Sequence, residues 1–426
     1  MGSMLWSSTW RERRIHGMSN PRILRFGEFF VGAGGLGLGF MLAQHPRFRF
    51  NPVFSIDNDT RALATYQANL KWLNEQHSGL LPVLPEIIDA DVSRISSLGL
   101  LRNNHIRVGE LDLLLGGPPC QGFSSSNRSA SKRAKSEQNR LATVYLEHVR
   151  TMRPKMFLLE NVQGVRWTNT WSTVSVGSNT RRTLRPVETH LVDLASNIGY
   201  SVWSDVLDAV DFGVPQHRLR FVMFGVRKDL LDGEQIGPTF SKCIDMRKST
   251  DPVSVWEAIR DLPRIGNGQH WEGTYRQCAL SRYAKEMRSL NGRGAVHDHF
   301  ATNHAEYVID RFRQIRPGQN WEAVRGSMQN YRAVDNTHSN IYRRLIGSRP
   351  AHTISHYRKS MTIHPRQSRG LSFREACRLQ SFPDWFRFVG GVDEMQQHLA
   401  NAVPPLMATA IARAIADFVS GRPDIV

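Results

Sequence analysis

Leu111 to Ser124, LDLLLGGPPCQGFS, is the stretch whose reading decides the fold. Leucines at 111, 113, 114 and 115 form an apolar run with no helical period, the pattern of a buried strand. Gly116 and Gly117 end the run. Pro118 and Pro119 then remove backbone freedom immediately before Cys120. A cysteine just past the carboxyl end of a strand stands where open α/β sheets gather their ligands.

Upstream, Arg22 to Phe30 (RILRFGEFF) reads as a first strand and runs into VGAGGLGLGF over 31–40. Gly32, Gly34, Gly35, Gly37 and Gly39 are expected to let the backbone turn tightly and approach a ligand. A helix is expected to start over Phe40 to Gln44, its free N–H groups favouring an anionic group. A second strand, Pro52 to Ile56, ends at Asp57, and Thr60 to Leu70 reads as helix. Gly32, Gly34 and Gly37 also satisfy G-x-G-x-x-G with an acid about 20 residues on, so a nicotinamide dehydrogenase competes for the same stretch. The glycines alone do not separate the two. Downstream, a third strand closes near Asp89 to Val92. Met156 to Leu159 is a strand ending in Glu160-Asn161-Val162. Leu184, Val187, Leu191, Leu194 and Ile198 mark a helix, and Val214 to Arg220 leads into the apolar run Phe221 to Val226. The alternation predicts an α/β protein with a doubly wound, Rossmann-like sheet.

Composition adds a partner class. Lys and Arg outnumber Asp and Glu by 55 to 38 in 426 residues, a net charge of +17 and a pI near 10.2. Such an excess favours a polyanion, most simply nucleic acid. Cys120, Cys243, Cys278 and Cys377 lie far apart, which suits a reducing cytoplasm and neither a zinc site nor a disulfide framework. His297, His299 and His304 have no carboxylate or cysteine at ligand spacing, so no metal is expected. No apolar run approaches the roughly 18 residues of a membrane span. Residues 1–21, beginning MGSM, read as a tag-like or disordered terminus, and 22–229 as the catalytic domain. Within it Ser125 to Arg140 is polar and basic and reads as a loop, with a helix from Leu141. The insertion over 163–182, with Trp167 and Trp171, carries no reading. From 230 to 371 the pattern turns irregular, the mark of a smaller inserted domain. Over 372–426 strong signals return: a capping box at Ser372 to Glu375, and Pro405 opening a last helix with Met407, Ile411, Ile415 and Phe418 on one side.

Several short motifs in fixed order carry a resemblance. Phe29-Phe-Val-Gly-Ala-Gly-Gly, Pro118-Pro-Cys-Gln-Gly-Phe-Ser, Glu160-Asn-Val, Gln216-His-Arg-Leu-Arg, Ser372-Phe-Arg-Glu-Ala, Arg378-Leu-Gln-Ser-Phe-Pro-Asp and Asn401-Ala-Val-Pro-Pro together resemble the cytosine-C5 DNA methyltransferases of prokaryotic type. The likeness covers about Ile23 to Lys228 and Arg349 to Val419. It implies that Cys120, presented by Pro119, attacks C6 of cytosine, that Glu160 holds N3, that Arg220 contacts the base carbonyl, and that Arg218 helps orient the site. It implies S-adenosylmethionine as cofactor. Phe30, Gly32, Ala33, Gly34, Gly35 and Leu36 would meet its methionine part, with Asp57 and Asn58 at the ribose and Asp91 and Val92 at the adenine. Pro118 and Leu141 would line the pocket, and Asn401 and Ala402 would close it. Two positions depart from the family pattern: Glu28 replaces the usual Asp, and Ala400 replaces a glycine, whose added methyl is expected to crowd that turn.

The likeness also implies double-stranded DNA as partner and a cytosine flipped out of it. Gln121, Ser124, Arg128, Lys132, Arg133 and Gln216 are the candidate contacts from the catalytic domain. Within the inserted target-recognition domain, the candidates are Arg325, Gln329, Asn330 and Arg332, residue types that pair with base edges. The setting it suggests is prokaryotic host defence: a monomer in the cytoplasm, associated with the nucleoid, beside a separately encoded nuclease and away from membranes. A tRNA cytosine-5 methyltransferase and a catalytically silent DNA-binding regulator on the same fold stay open.

Overall fold

The computed structural model describes residues 21–77, 80–119, 132–166, 169–176, 179–291, 294–329, 334 and 339–425. Seven strands form the main sheet: β1 (Arg22–Phe29), β2 (Phe48–Asp57), β3 (Glu86–Asp89), β4 (Leu113–Gly116), β5 (Met156–Val162), β8 (Tyr200–Asp208) and β9 (Leu219–Arg227). Between β5 and β8, the strands β6 (Asn169–Val176) and β7 (Asn179–Pro186) pair only with each other, as an antiparallel hairpin. The sheet order is β3-β2-β1-β4-β5-β9-β8. The first five strands are parallel, and β9 runs antiparallel to both β5 and β8. Leu113, Leu114, Leu115 and Met156 to Leu159 are wholly buried, as central parallel strands covered on both faces must be. The winding reverses between β1 and β4, so a crevice opens at their carboxyl ends.

Thirteen helices in the described residues cover the sheet and build the insertion: α1 (Gly35–Leu42), α2 (Thr60–Gln76), α3 (Ser97–Asn103), α4 (Lys132–Met152), α5 (Val187–Asn197), α6 (Gly237–Asp245), α7 (Val255–Ile259), α8 (Arg282–Met287), α9 (Glu306–Gln314), α10 (Tyr357–Ser360), α11 (Phe373–Leu379), α12 (Val392–Asn401) and α13 (Pro405–Ser420). α3, α4 and α5 pack on one face through Leu100, Tyr145, Val149 and Leu191. α1 and α13 pack on the other. The apolar stretch Val392–Ser420 is long enough to cross a membrane by composition alone. Pro404 and Pro405 divide it, and most of it is buried inside the protein.

Four local readings are corrected or completed. α1 begins at Gly35, not Phe40, so Gly35, Gly37 and Gly39 are helical. Only Gly32 (φ 55°) and Gly34 (φ 90°) of that run are left-handed. The helical glycines serve close packing: a Cβ on Gly39 would stand 2.4 Å from Ala408 Cβ and 2.5 Å from the Pro405 carbonyl. Second, α4 starts at Lys132, so the polar segment is helical well before Leu141. Third, Leu184 lies in β7 and α5 starts at Val187. Fourth, the edge strand β8 was unassigned, and the tryptophan-bearing insertion is the β6–β7 hairpin.

After β9 the chain divides between two cores. α6 returns to the main one, where Phe240 stacks on Phe224 of β9 at 4.2 Å between ring centroids and meets Phe418 of α13 edge-on. β10 (His270–Thr274) and β11 (Ala295–Phe300) pair as a small antiparallel ribbon. A separate cluster of Val308, Phe312, Trp321, Met328, Tyr342 and Ile363 forms a satellite core. His299 bridges Ser372 Oγ (2.9 Å) and the Pro263 carbonyl (2.7 Å), joining insertion to α11 as a scaffold residue.

Candidate active site

The turn between β1 and α1 is set by the backbone, with Phe30 itself left-handed at φ 59°. Asp57, at the end of β2, accepts the Gly32 amide at 2.7 Å and the Asp59 amide at 2.9 Å. Burial pushes its carboxyl above the usual range, although both amides pull the other way. Glu28 is buried beneath the same turn. One of its oxygens accepts the Gly37 amide at 3.1 Å and the other has no partner. Burial, reinforced by Asp57, raises it to about 8. Among the described residues, no atom beyond its chain neighbours lies within 4 Å of the point where a Gly32 side chain would begin. The turn therefore presents open space beside one acid with a spare buried oxygen and another with its amide bonds made. A ligand carrying a cationic group and hydroxyls fits this arrangement.

The loop after β4 lies against that turn. The Gly117 amide donates to the Phe29 carbonyl at 3.4 Å, and a Cβ on Gly117 would stand 3.4 Å from Glu160 Oε2 and 4.0 Å from the Phe30 carbonyl. Asn161 donates to the Pro118 carbonyl at 3.2 Å, fixing the loop from the strand that carries Glu160. Pro118 is buried and Pro119 exposed. Cys120, Gln121, Ser124 and Arg128 lie outside the described residues. The chain enters Cys120 from a segment that touches both the glycine turn and the Glu160 carboxyl. Glu160 is 8% exposed and meets Arg220 Nε at 2.9 Å. Burial nevertheless keeps its carboxyl above the usual range against the pull of Arg220 and Arg218. A buried acid with raised proton affinity can donate to, or share a proton with, a ring nitrogen.

Arg218 is fully buried and its guanidinium donates to the carbonyls of Ala400 (2.6 Å), Ala402 (3.0 Å) and Ile354 (3.3 Å). It is a positioning residue that fastens the start of β9 to residues 400–402, not a group facing a base. That clamp brings the Asn401 segment over the glycine turn, where a Cβ on Gly35 would stand 2.3 Å from the Val403 carbonyl and 3.3 Å from Ala402 Cβ. Ala400 lies within α12, where a methyl is favourable, so the expected crowding does not arise. Asn401 is exposed and accepts from Gln397 at 2.9 Å. Asp91 caps the turn over Val92–Arg94 through the Ser93 amide and hydroxyl, which lower its carboxyl, and Val92 is buried beneath it.

One DNA candidate is overturned. Gln216 is fully buried, donating to Gln380 Oε1 (2.9 Å) and the Leu379 carbonyl (3.1 Å) and accepting the Ile354 amide (2.8 Å). It stitches β9 to α11 and the insertion and cannot reach DNA. Lys132 and Arg133 fall in the first turn of α4. Arg325 and Gln329 are exposed, while Asn330 and Arg332 lie outside the described residues. Two residues that hold the site had not been singled out. Asn161 could have been, standing directly after Glu160. Asp208, which accepts the Arg218 amide at 2.8 Å, gave no signal because its strand was unassigned.

A family model for C-5 cytosine-specific DNA methylases matches residues 24–417. The chain belongs to that family. The methylase is 31% identical over 406 residues to the type II methyltransferase M.DdeI of Desulfomicrobium norvegicum, covering 91% of this chain and 87% of that one. It is 28% identical to the DNA (cytosine-5-)-methyltransferase M.ApeKI of Aeropyrum pernix, over 92% of this chain and 97% of the other. In fold it is similar to a candidate DNA modification methyltransferase from an E. coli prophage, with TM-score 0.68, 23% identity and coverage of 93% and 99%. The Dnmt2 methyltransferase of S. pombe shares the fold more distantly, with TM-score 0.55, 15% identity and coverage of 94% and 99%. The methylase is a DNA (cytosine-5-)-methyltransferase, and S-adenosylmethionine is its methyl donor. The open glycine turn and its two acids fit that donor's cationic methionine end and ribose, and Phe30, Gly32 and Asp57 are the residues that would hold it.

Proposed function

We propose that this methylase modifies one cytosine within a specific duplex sequence, as the modification partner of a separately encoded nuclease in prokaryotic host defence. The observation that carries the reading is the Glu160 carboxyl, buried against Gly117 and paired with Arg220, its proton affinity raised by burial. C5 of cytosine is a weak nucleophile until something adds at C6. Cys120, as thiolate, makes that addition to a base turned out of the duplex. Glu160 holds N3 through a shared proton as negative charge develops there. Arg220 both steers Glu160 and contacts the base carbonyl, and Arg218 holds the residues around it. S-adenosylmethionine supplies a methyl group activated by its sulfonium. Loss of the C5 proton to a base and departure of the Cys120 sulfur then restore the ring.

The unit over 230–371, centred on the satellite core of 308–363, is the target-recognition domain in this reading. Arg325, Gln329, Asn330 and Arg332 read base edges, and Arg128, Lys132 and Arg133 grip phosphates. The enzyme acts as a monomer on the nucleoid. A duplex carrying 5-fluorocytosine at the target becomes covalently trapped, since fluorine cannot leave as a proton does. Cys120→Ser loses that adduct. Trapping by the mutant overturns the nucleophile assignment, and methyl transfer to tRNA but not to duplex DNA overturns the substrate. DNA affinity in a wild type that never transfers methyl points to the silent regulator.

A further inference from the structure

A cavity of about 460 Å³ opens between the approach to β9 and the insertion, lined by His217, Asn340, Arg343, Arg349, His352 and Thr353 among others. Its wall is bonded directly to the catalytic strand. Ala351 exchanges backbone hydrogen bonds with Pro215 (2.9 Å) and His217 (2.8 Å), and Thr353 Oγ1 donates to the His217 carbonyl at 2.7 Å. Arg218 and Arg220 follow within three residues. Groups on this wall are therefore held at a fixed offset from Glu160.

Among the described lining residues none is acidic, and three are arginines. Arg344 is taken up internally, its guanidinium donating to the carbonyls of Ile315 (2.6 Å), His364 (2.9 Å) and Gln367 (2.9 Å). Among the described residues, the Arg343 side chain makes one long contact, with Asn340 at 3.5 Å. Arg349 is exposed and has no ion pair with a described residue. Burial and the nearby Arg343 hold the His352 imidazole down at about 4, so it contributes donors and acceptors without charge. Two guanidinium groups with no ion pair to a described residue, in a roomy cleft whose nearest described acid, Asp208, is taken up by His217 at 2.8 Å, suit a group with several anionic oxygens at the surface of a polyanion. The planar guanidinium fork matches the two free oxygens of a phosphodiester.

We propose that this cleft seats a backbone phosphate of the substrate DNA, gripped by Arg343 and Arg349, and so sets the register of the duplex relative to Glu160. The inference rests on the reading of duplex DNA as substrate. It adds two positioning residues outside the set singled out from the sequence. Phosphate contacts fix register and affinity and carry no sequence choice.

The test is DNA affinity as a function of salt for wild type, for the double variant Arg343→Gln with Arg349→Gln, and for the double Arg→Lys variant. Each lost phosphate contact removes about 0.9 from the slope of log affinity against log salt. The Gln variant is expected to lose roughly 0.9 of slope, one phosphate's worth, to methylate the same sequence, and to bind S-adenosylmethionine as wild type does. The Lys variant keeps most of the slope. An unchanged slope in the Gln variant overturns the proposal, as does a shift of recognition sequence, which would make these base contacts. The slope is read from binding alone. A wild type that methylates only RNA sinks the substrate reading, while a slope lost in the Gln variant still supports the phosphate site.

Discussion

Glu160 and Glu375 are both buried glutamates paired with an arginine, and they are tuned in opposite directions. Glu375 receives both terminal nitrogens of Arg369, at 2.8 and 2.7 Å, and the Ser372 amide at 2.8 Å. Its carboxyl lies well below the usual range because Arg369 and its hydrogen bonds, with His364 and His299 adding, outweigh the burial. Glu160 has a 2.9 Å contact to one nitrogen of Arg220, and burial dominates. The same pair of residue types gives a carboxyl with lowered proton affinity where the acceptor sites are filled, and one with raised proton affinity where, among the described residues, a single arginine contact meets it. The filled site joins insertion to catalytic lobe. The open one faces the loop that leads to Cys120.

Breaking each pair separates the roles. Glu160→Gln is expected to lower methyl transfer by about 10²- to 10⁴-fold, while a thermal melt shows the fold unharmed. A strongly destabilised Glu160→Gln would mean that this pair, too, is structural. Glu375→Gln strands the Arg369 guanidinium in the interior and is expected to cost about 3–5 kcal/mol in denaturant unfolding, with the activity of the remaining folded enzyme near normal.

The pH dependence sharpens the contrast, because the signs are opposite. Glu375 has a depressed folded-state pKa. It contributes stability above the ordinary carboxylate range, and that contribution disappears as pH falls through the folded value. The melting difference between wild type and Glu375→Gln should therefore shrink in acid. Glu160 has a raised folded-state pKa, so its ionisation costs stability as pH rises above about 4.5. Glu160→Gln should gain on wild type over that rise and match it below. Identical pH trends for the two variants would refute the comparison.

A smaller effect tests the scaffold beneath the open site. Gly39→Ala places a methyl against Ala408 and the Pro405 carbonyl and is expected to cost about 1–3 kcal/mol by overpacking. Gly32→Ala meets no atom, but its left-handed backbone is strained by a side chain. Its expected cost is about 1–2 kcal/mol, and its further signature is weaker S-adenosylmethionine binding by calorimetry.

Much of this was legible in the residues themselves. The leucines before Cys120, the prolines that aim it and the apolar run of β5 gave the central strands, because a strand buried on both faces has to be apolar throughout. The order of the short motifs gave the family and the donor. Half-buried and irregular pieces were not legible: β8 alternates too weakly, and the first turn of α1 reads as a tight glycine turn. A glycine needed for close packing and one needed for a left-handed turn are the same letter, and only the neighbouring backbone distinguishes them.

The sequence by itself therefore determined which atoms could do chemistry, a thiol, a carboxyl and guanidinium groups after successive strands, since local pattern fixes strands and their ends. Tertiary structure alone decided what each was for. It turned Gln216 inward, made Arg218 a clamp, left Arg343 and Arg349 facing a cleft, and set Glu160 apart from Glu375. Partnering and desolvation depend on residues tens to hundreds of positions away, and these fix the state of a buried charge.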